Sequence, residues 1–366
     1  MLAVTRTIRH SYASEDVTML LSPLSVTPTD VVEKERLIQS GRVHYSEMIS
    51  EERRSDARYM ALFEDALARH GTRIAQDIAR IALGIRRQIE DGALKPRISL
   101  CSLVRAGLPY GVLLRRALKS LGVDVVHYGV SIIRDRGLDA HAMAVVRGDG
   151  RDADILFVDG WTGKGAIAGE LDRAWRAISS ESPRLVVLAD PSGHAWLSGS
   201  HDDWLIPSGI LGANVSGLVS RSILKPELLG PDDFHGAMAV DHLADIDRSR
   251  DFVDHVGSCL VTALEAGDPA LPDPAGCAVL RARAAACVGA IADRHDVTNR
   301  NRIKPGIAEA TRAVLRRRPR KVFLRDAEDP DLAALVHLCR RDAVPMEVDA
   351  AATEPYRAIT LIEAVS

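Results

Sequence analysis

Between Arg97 and Ala189 short apolar runs alternate with amphipathic stretches, and no other feature of this 366-residue chain narrows its fold as far. Short apolar runs bounded by turn formers read as buried strands, and the 3/4-spaced stretches between them read as helices. The pattern predicts strands over residues 98–104, 123–130, 155–158 and 184–189, with helices over 111–121 and 166–178. Strands joined through helices run parallel, so the expected fold class is α/β with a doubly wound, mostly parallel sheet. Ligands of such sheets sit beyond the carboxyl ends of the strands. Chemistry is therefore expected in the loops Arg105-Ala106-Gly107, 159–165 and 190–194.

The chain is too long for one ordinary core, since single cores stop growing near roughly 250–300 residues. The break Gly267-Asp268-Pro269-Ala270-Leu271-Pro272-Asp273-Pro274 is the expected boundary between a main domain over 41–266 and a smaller α/β domain over 275–366. In the smaller domain an Ala-rich helical stretch reaches His295, and a helix (307–317), a strand (321–324), a helix (331–341) and a strand (345–348) follow. Residues 1–40, with Pro23 and Pro28, read as an arm or hairpin. The apolar spacing over 46–90 predicts two helices. An apolar share of 46% with 27% charged residues is that of a globular protein. Continuous apolar runs fall far below the ~20 residues that cross a bilayer. The start Met1-Leu2-Ala3-Val4-Thr5-Arg6 lacks a secretory pattern, so no membrane and a cytoplasmic location are expected. The five cysteines, Cys101, Cys259, Cys277, Cys287 and Cys339, contain no CxxC pair and suggest no zinc site or disulfide framework.

The segment Val158-Asp159-Gly160-Trp161-Thr162-Gly163-Lys164-Gly165-Ala166 leads from a buried strand through a Gly-rich turn into a helix. That order suits a phosphate, because glycines let successive N–H groups face one concavity with the positive helix end behind them. Thr162 is expected to add a hydroxyl, Lys164 a point charge, and Asp159 an acceptor for sugar hydroxyls. The alternative is a tight turn with no ligand. Walker A and GxGxxG spacings are both absent. Between Arg300 and Arg325 ten basic residues stand against one acid, Glu309, which points either to phosphate or RNA binding or to a solvated helix face.

The loop at 158–166 resembles the ribose-5-phosphate loop of type I phosphoribosyltransferases. Asp159 matches one member of that motif's acidic pair, and Gly160 and Trp161 occupy the place of the other. The chain also resembles the StiP family, associated with tellurite resistance and stress response and described both as a cysteine protease and as phosphoribosyltransferase-like. The resemblance is carried by His44-Tyr45-Ser46-Glu47-Met48, 103–113, 131–139, 157–167, Ile206-Pro207-Ser208-Gly209, 216–221 and Phe234-His235-Gly236-Ala237. The stretch 304–312 resembles the pelota-type RNA-binding domain, which implies RNA contacts by Lys304, Glu309, Arg312 and Arg316.

Together these resemblances imply an enzyme that transfers phosphoribose from phosphoribosyl pyrophosphate to a base, releasing pyrophosphate held with Mg²⁺, on a sheet of type I phosphoribosyltransferase kind. Arg105, Ala106 and Gly107 would hold pyrophosphate, and a cover over 132–139 would bring Arg134, Asp135 and Arg136 over it. Asp159 would fix the ribose and Thr162 to Gly165 the 5-phosphate, with Gly160 and Trp161 also counted among the substrate-binding residues; in the loop after the strand 184–189, Asp190 or His194 is placed to touch the acceptor. Phosphoribosyl pyrophosphate or a nucleotide, RNA and a second copy of the chain are the expected partners. Two other readings stand beside this one. A non-catalytic nucleotide-sensing or RNA-binding protein is the first, and a cysteine protease using Cys101 near His127 or His141, or Cys259 near His255, is the second. The grouping His194, His201, Asp202 and Asp203 matches no common metal site, so no protein metal site is expected. Tyr45 and Glu47 are open between substrate contact and a solvated helix start.

Overall fold

The computed structural model describes residues 7–364; the stretch Met1 to Arg6, in which no secretory signal is expected, lies outside the described residues. The main domain contains β1 (Thr18–Met19), β2 (Ser22–Pro23), α1 (Val31–Gln39), α2 (Ala57–Glu90), β3 (Arg97–Leu103), α3 (Leu108–Ser120) and β4 (Asp124–Val130). It continues through β5 (Ile132–Ile133), β6 (Gly137–Leu138), α4 (Ala140–Gly148), β7 (Asp154–Trp161), α5 (Ala166–Arg176), β8 (Arg184–Ala189) and β9 (Leu197–Ser200). After β10 (Gly236–Ala237) come α6 (Ser249–Gly257) and α7 (Leu260–Ala266). Its six-stranded sheet has the order β1-β4-β3-β7-β8-β9 and every pairing is parallel.

Alternation along the strands sorts side chains to two faces. Ile98, Leu100, Leu156, Val158, Val186 and Leu188 join the core under α2 and α3. Cys101, Leu103, Phe157, Leu185 and Val187 join the other core, with Met143 of α4 and Leu171 of α5. The chain steps from β3 to β4 in one direction and from β7 to β8 in the other, so the order reverses between the neighbours β3 and β7. The crevice of a doubly wound sheet opens at that reversal.

Two expectations fail here for identifiable reasons. Residues 57–90 form one helix of 34 residues, because Tyr59, Phe63, Leu67, Ile74, Ile78 and Ile85 continue one buried stripe straight past Gly71. Gly71 sits where a Cβ would lie 2.9 Å from His255 Nε2, so a close helix contact replaces the break that a glycine suggests. The described part of the 1–40 segment is not an arm or hairpin. Strand β1 pairs with β4, β2 pairs with β10, and Tyr12, Val17, Met19 and Leu21 are core residues. Buried Asp16 anchors the segment, accepting hydrogen bonds from Arg116 Nε at 3.0 Å and Nη2 at 2.6 Å.

The smaller domain has α8 (Pro274–Arg294), β11 (Ile303–Pro305), α9 (Ile307–Arg316), β12 (Pro319–Leu324), α10 (Ala333–Arg341), β13 (Met346–Val348), α11 (Ala350–Thr353) and β14 (Ala358–Ile362). Its mixed sheet has the order β11-β14-β12-β13. One face packs on α8 through Ile303, Phe323, Ile359 and Leu361. The other face packs on α9 and α10, whose Ile307, Val314, Leu335 and Leu338 are continuous with the main core. The two domains therefore share apolar packing and frame one cleft. Helix α8 is long and apolar enough to cross a membrane, which run length concealed because Arg281 and Arg283 interrupt it. Here Ala284, Cys287, Val288 and Ile291 on one side of it lie against the sheet.

Candidate functional site

Strand β7 delivers Asp159 to the end of the sheet, and the chain turns through Thr162 to Gly165 into α5. Gly165 has φ of 78°, and a Cβ there would meet His194 Nε2 at 2.3 Å, so glycine is required twice over. It is the N-cap of α5 and offers no side-chain cap, which leaves the helix's first N–H groups without a side-chain acceptor among the described residues, beside Ala166, Ile167 and Ala168 in the cleft wall. Gly107 lets α3 begin against β7, where a Cβ would fall 2.1 Å from the Val158 carbonyl oxygen. These features place a helix N-terminus and a carboxylate at the mouth of a cavity of about 250 Å³.

Seven cationic side chains line that cavity: Arg105, Arg134, Lys164, Arg221, Lys304, Arg312 and Arg316. Asp159 and Glu309 are the carboxylates among them. Of the seven, only Arg105 has a carboxylate within ion-pair distance among the described residues, and that partner is Glu52. Burial, with neighbouring cations adding to it, pushes Lys164 down to about 7 and Lys304 to about 8. Burial and the proximity of Arg105 lower Arg316 to about 9, and burial brings Arg221 to about 10. Burial raises the Asp159 carboxyl to about 7, although it accepts a hydrogen bond from Gly160 N at 2.8 Å. Buried cations without counter-charges oppose folding and are matched when an anion enters.

The structure brings many of the expected site residues together. Arg105, Ala106, Arg134, Asp159, Trp161, Thr162, Gly163, Lys164 and Gly165 border the cleft, and so do Lys304, Glu309, Arg312 and Arg316 from the smaller domain. Arg312 lies over the Trp161 ring at 4.5 Å, joining the two domains by a cation–π contact. Tyr356 Oη donates to the Gly163 carbonyl at 2.7 Å, and Lys164 Nζ donates to the Ile303 carbonyl at 2.9 Å and to that of Arg300.

Several expected roles are corrected by these contacts. Lys164 is engaged by carbonyls of the smaller domain and serves first as a latch. The Thr162 hydroxyl donates to Asp190 and receives from Ser192 at 2.7 Å, so it braces the turn. Asp190 is fully buried and also accepts from the His194 and Ala195 N–H groups at 2.9 and 2.8 Å, which removes it from any acceptor. Gly107 and Gly160 lie behind the wall, Gly160 against Tyr110. Arg136 is half exposed and reaches Glu47 at 3.7 Å. Asp135, in the turn of the β5-β6 ribbon with φ of 64°, donates its N–H to Glu170 and faces solvent.

Among the described residues no cysteine thiol is hydrogen-bonded to a histidine. Burial raises the Cys101 thiol far above its ordinary range, and His127 instead meets Ser102 Oγ at 2.7 Å and the Asp16 carbonyl at 2.8 Å. The grouping at 194–203 dissolves as well. Asp202 pairs with Arg73, and Asp203 accepts from the Ile307 N–H at 3.0 Å at the start of α9.

Arg221 went unassigned from sequence, yet it borders the cleft 5.4 Å from the Tyr45 ring and donates to the Tyr45 carbonyl at 2.7 Å. Its presence in the resembling stretch 216–221 was the available signal. Tyr45 is a support: its hydroxyl accepts from Arg134 N at 2.8 Å.

Comparison with known proteins follows the same division of the chain. A family model described as tellurite-like stress resistance cysteine protease StiP matches residues 10–257. A model described as PELOTA RNA binding domain matches residues 282–364. A relative from Acinetobacter baylyi named cysteine protease StiP is 45% identical over 365 residues, covering 96% of this chain and 94% of that protein. Among solved structures, a mutant hypoxanthine phosphoribosyltransferase from Trypanosoma cruzi complexed with the product IMP is 18% identical, with a TM-score of 0.26, over 35% of this chain and 70% of that one. Another hypoxanthine phosphoribosyltransferase of Trypanosoma cruzi is 15% identical, with a TM-score of 0.29, over 44% of this chain and 90% of that one. These structural likenesses are too slight to bear on function.

The family and the full-length relative carry the name of an enzyme, a cysteine protease, and this overturns the expected transfer of phosphoribose. The keywords of glycosyl transfer fall with it, and the phosphoribosyl pyrophosphate or nucleotide partner gains no support from these matches. The chain belongs to the tellurite-like stress resistance cysteine protease StiP family and carries a PELOTA RNA-binding domain after the family's main domain.

Proposed function

We propose that this enzyme binds a small polyanion bearing phosphate groups in the cleft between its two domains, with the smaller domain supplying half of the site. One observation carries the reading: six of the seven cations of the cleft have no ion-pair partner among the described residues. The free N-terminus of α5 adds N–H donors at the same spot. The order of β4, β3, β7 and β8, which we read as of type I phosphoribosyltransferase kind, bears on where this site opens and not on its reaction.

The residues expected to hold RNA are used differently in this reading. Lys304, Arg312 and Arg316 face the cleft, while Arg317, Arg318, Lys321 and Arg325 pair with Glu35, Glu363, Glu347 and Glu354. The exposed members of the basic run without a carboxylate partner among the described residues are Arg300 and Arg320. A Mg²⁺ ion held by the protein does not fit, because it favours ionised carboxylates, whereas Asp159 lies near 7 and cations surround it. Among the described residues no group of three His, Cys, Asp or Glu side chains is placed to hold a metal.

Calorimetric titration with inorganic pyrophosphate and with sulfate tests the reading. Lys164 and Lys304 are charged below about 7 and 8 respectively and lose their protons above, while Asp159 gains a negative charge through about 7. All three changes oppose an anion as pH rises. Sulfate keeps its charge throughout, so its affinity is expected to fall by about tenfold or more between pH 6.5 and 9, each lost cation being worth roughly 1 kcal/mol or more. Absence of saturable binding by either ion at low salt overturns the proposal.

A second reading, cysteine-dependent peptide hydrolysis, follows from the names that the family and the relative carry. Cys259 suits it best, being the partly exposed thiol among the described cysteines. It borders a surface cavity with Arg73 and Asp77, whose carboxyl is raised to about 6 by burial and whose Oδ2 has no hydrogen-bond partner. Hydrolysis of labelled casein is then expected to disappear with iodoacetamide and with Cys259→Ser. Hydrolysis that survives Cys259→Ser removes this thiol from consideration.

A further inference from the structure

Behind Arg105, Arg221 and Arg316 lies a second cavity of about 80 Å³, bordered also by Lys34, Glu52 and Asn214. The same three arginines border the main cleft, so they form a partition shared by both spaces. Groups around the smaller cavity carry unmet polarity. Lys34, on α1, is only 8% exposed, and its ammonium makes no hydrogen bond or ion pair among the described residues. Its neighbour Glu35 is taken by Arg317. Asn214 is 3% exposed, and its Nδ2 has no hydrogen-bond partner. Of the two carboxylates that border it, Glu52 is engaged by Arg105 and by the Ala213 N–H, which it meets at 2.8 Å, and Glu51 is exposed to solvent, 4.0 Å from His242 Nε2.

A buried amide donor without an acceptor is costly, and it and the largely buried Lys34 side chain both gain when an oxyanion accepts from them. The cavity is of a size for a carboxylate or a phosphate group and not for a ring system. We propose that it is a second anion subsite, and that the ligand of the cleft is an elongated molecule with two separate oxyanion groups. One group lies against the N-terminus of α5 with Lys304 and Arg312. The other passes the arginine partition to Lys34 and Asn214. This inference rests on the binding of a phosphorylated anion in the cleft and adds the ligand's second charge and its extended shape.

Titrations of the whole chain with a ladder of alkane α,ω-bisphosphates, each paired with its alkyl monophosphate, test the inference. A bisphosphate of matching span is expected to bind at least about tenfold tighter than its monophosphate, since the second group binds at high effective concentration. Phosphate-carboxylate analogues of the same span show which oxyanion the inner subsite prefers. Lys34→Gln, which removes the charge and leaves a polar side chain, and Asn214→Leu are each expected to erase most of the gain while leaving monophosphate affinity unchanged. A bisphosphate advantage absent at every span, or one untouched by both substitutions, overturns the second subsite while the cleft reading stands. Failure of the monophosphates themselves to bind overturns both.

Discussion

Replacing Arg312 and Arg316 together with leucine is expected to lower pyrophosphate affinity by roughly two to four orders of magnitude, each charge-assisted hydrogen bond contributing roughly 1.5–3 kcal/mol. The same double variant is expected to unfold at a higher temperature than the parent. Both guanidiniums lie in the cleft wall without ion-pair partners, each depressed by burial and by the Arg105 charge. Removing them relieves desolvation and mutual repulsion, with apolar side chains of adequate volume left in their place. Opposite movement of the two readouts is the diagnostic result, because a merely structural pair of arginines would lower stability when removed. Arg312 also covers Trp161, and leucine preserves part of that contact. Titration calorimetry and thermal unfolding in a phosphate-free buffer measure both effects, and a variant that binds normally would place the anion elsewhere.

Glu52→Ala is expected to produce the largest loss of stability. Arg105 is 5% exposed, and its positive charge is balanced by Glu52. Its Nη1 donates to the Val219 carbonyl at 3.0 Å, so the guanidinium is fixed in place and cannot retreat to water. Removing one partner of a buried pair costs about 3–5 kcal/mol, and here the Ala213 N–H also loses its acceptor. Although burial opposes ionisation of Glu52, the Arg105 guanidinium holds the carboxyl down to about 2. A depressed carboxyl contributes stability above its unfolded value of about 4.3 and loses it as the pH falls toward the folded one. Urea unfolding should therefore show the parent losing stability between about pH 4.5 and 2, and Glu52→Gln should lack that component. The double variant Glu52→Leu, Arg105→Leu is expected to recover much of the loss of Glu52→Ala. Equal stability of Glu52→Ala and the parent would show the pair to be unimportant.

Arg105 also illustrates what sequence reading mistakes. Its place after the first predicted strand is where the structure puts it, at the crevice, but its charge is already committed to a residue 53 positions earlier in the chain. Asp190 and Thr162 are similar cases. Both stand in loops that follow predicted strands, and each satisfies the other's hydrogen-bonding needs inside the wall. Spacing locates the carboxyl end of a strand because side-chain alternation is a local property. Whether a polar group at that end faces a ligand or a neighbour depends on what packs over it.

The α/β class, the strands 98–104, 123–130, 155–158 and 184–189 to within a few residues, and the Gly-rich entry to α5 were legible because each follows from periodicity or from φ requirements within one stretch. The single helix over residues 57–90 was not, since the close approach of His255 at Gly71 lies nearly two hundred residues away in the chain. The basic run shows the division most clearly. Ten positive charges against one acid were written in the sequence from the start. Which of them are free was settled by long-range pairing: Arg317 meets Glu35 across 282 positions, while Lys304, Arg312 and Arg316 turn inward to a cleft whose other wall is the loop after β7. Local patterning therefore dictates secondary structure and the supply of charge, whereas the docking of one domain on another decides which charges keep their water, which find a counter-ion, and which remain for a ligand.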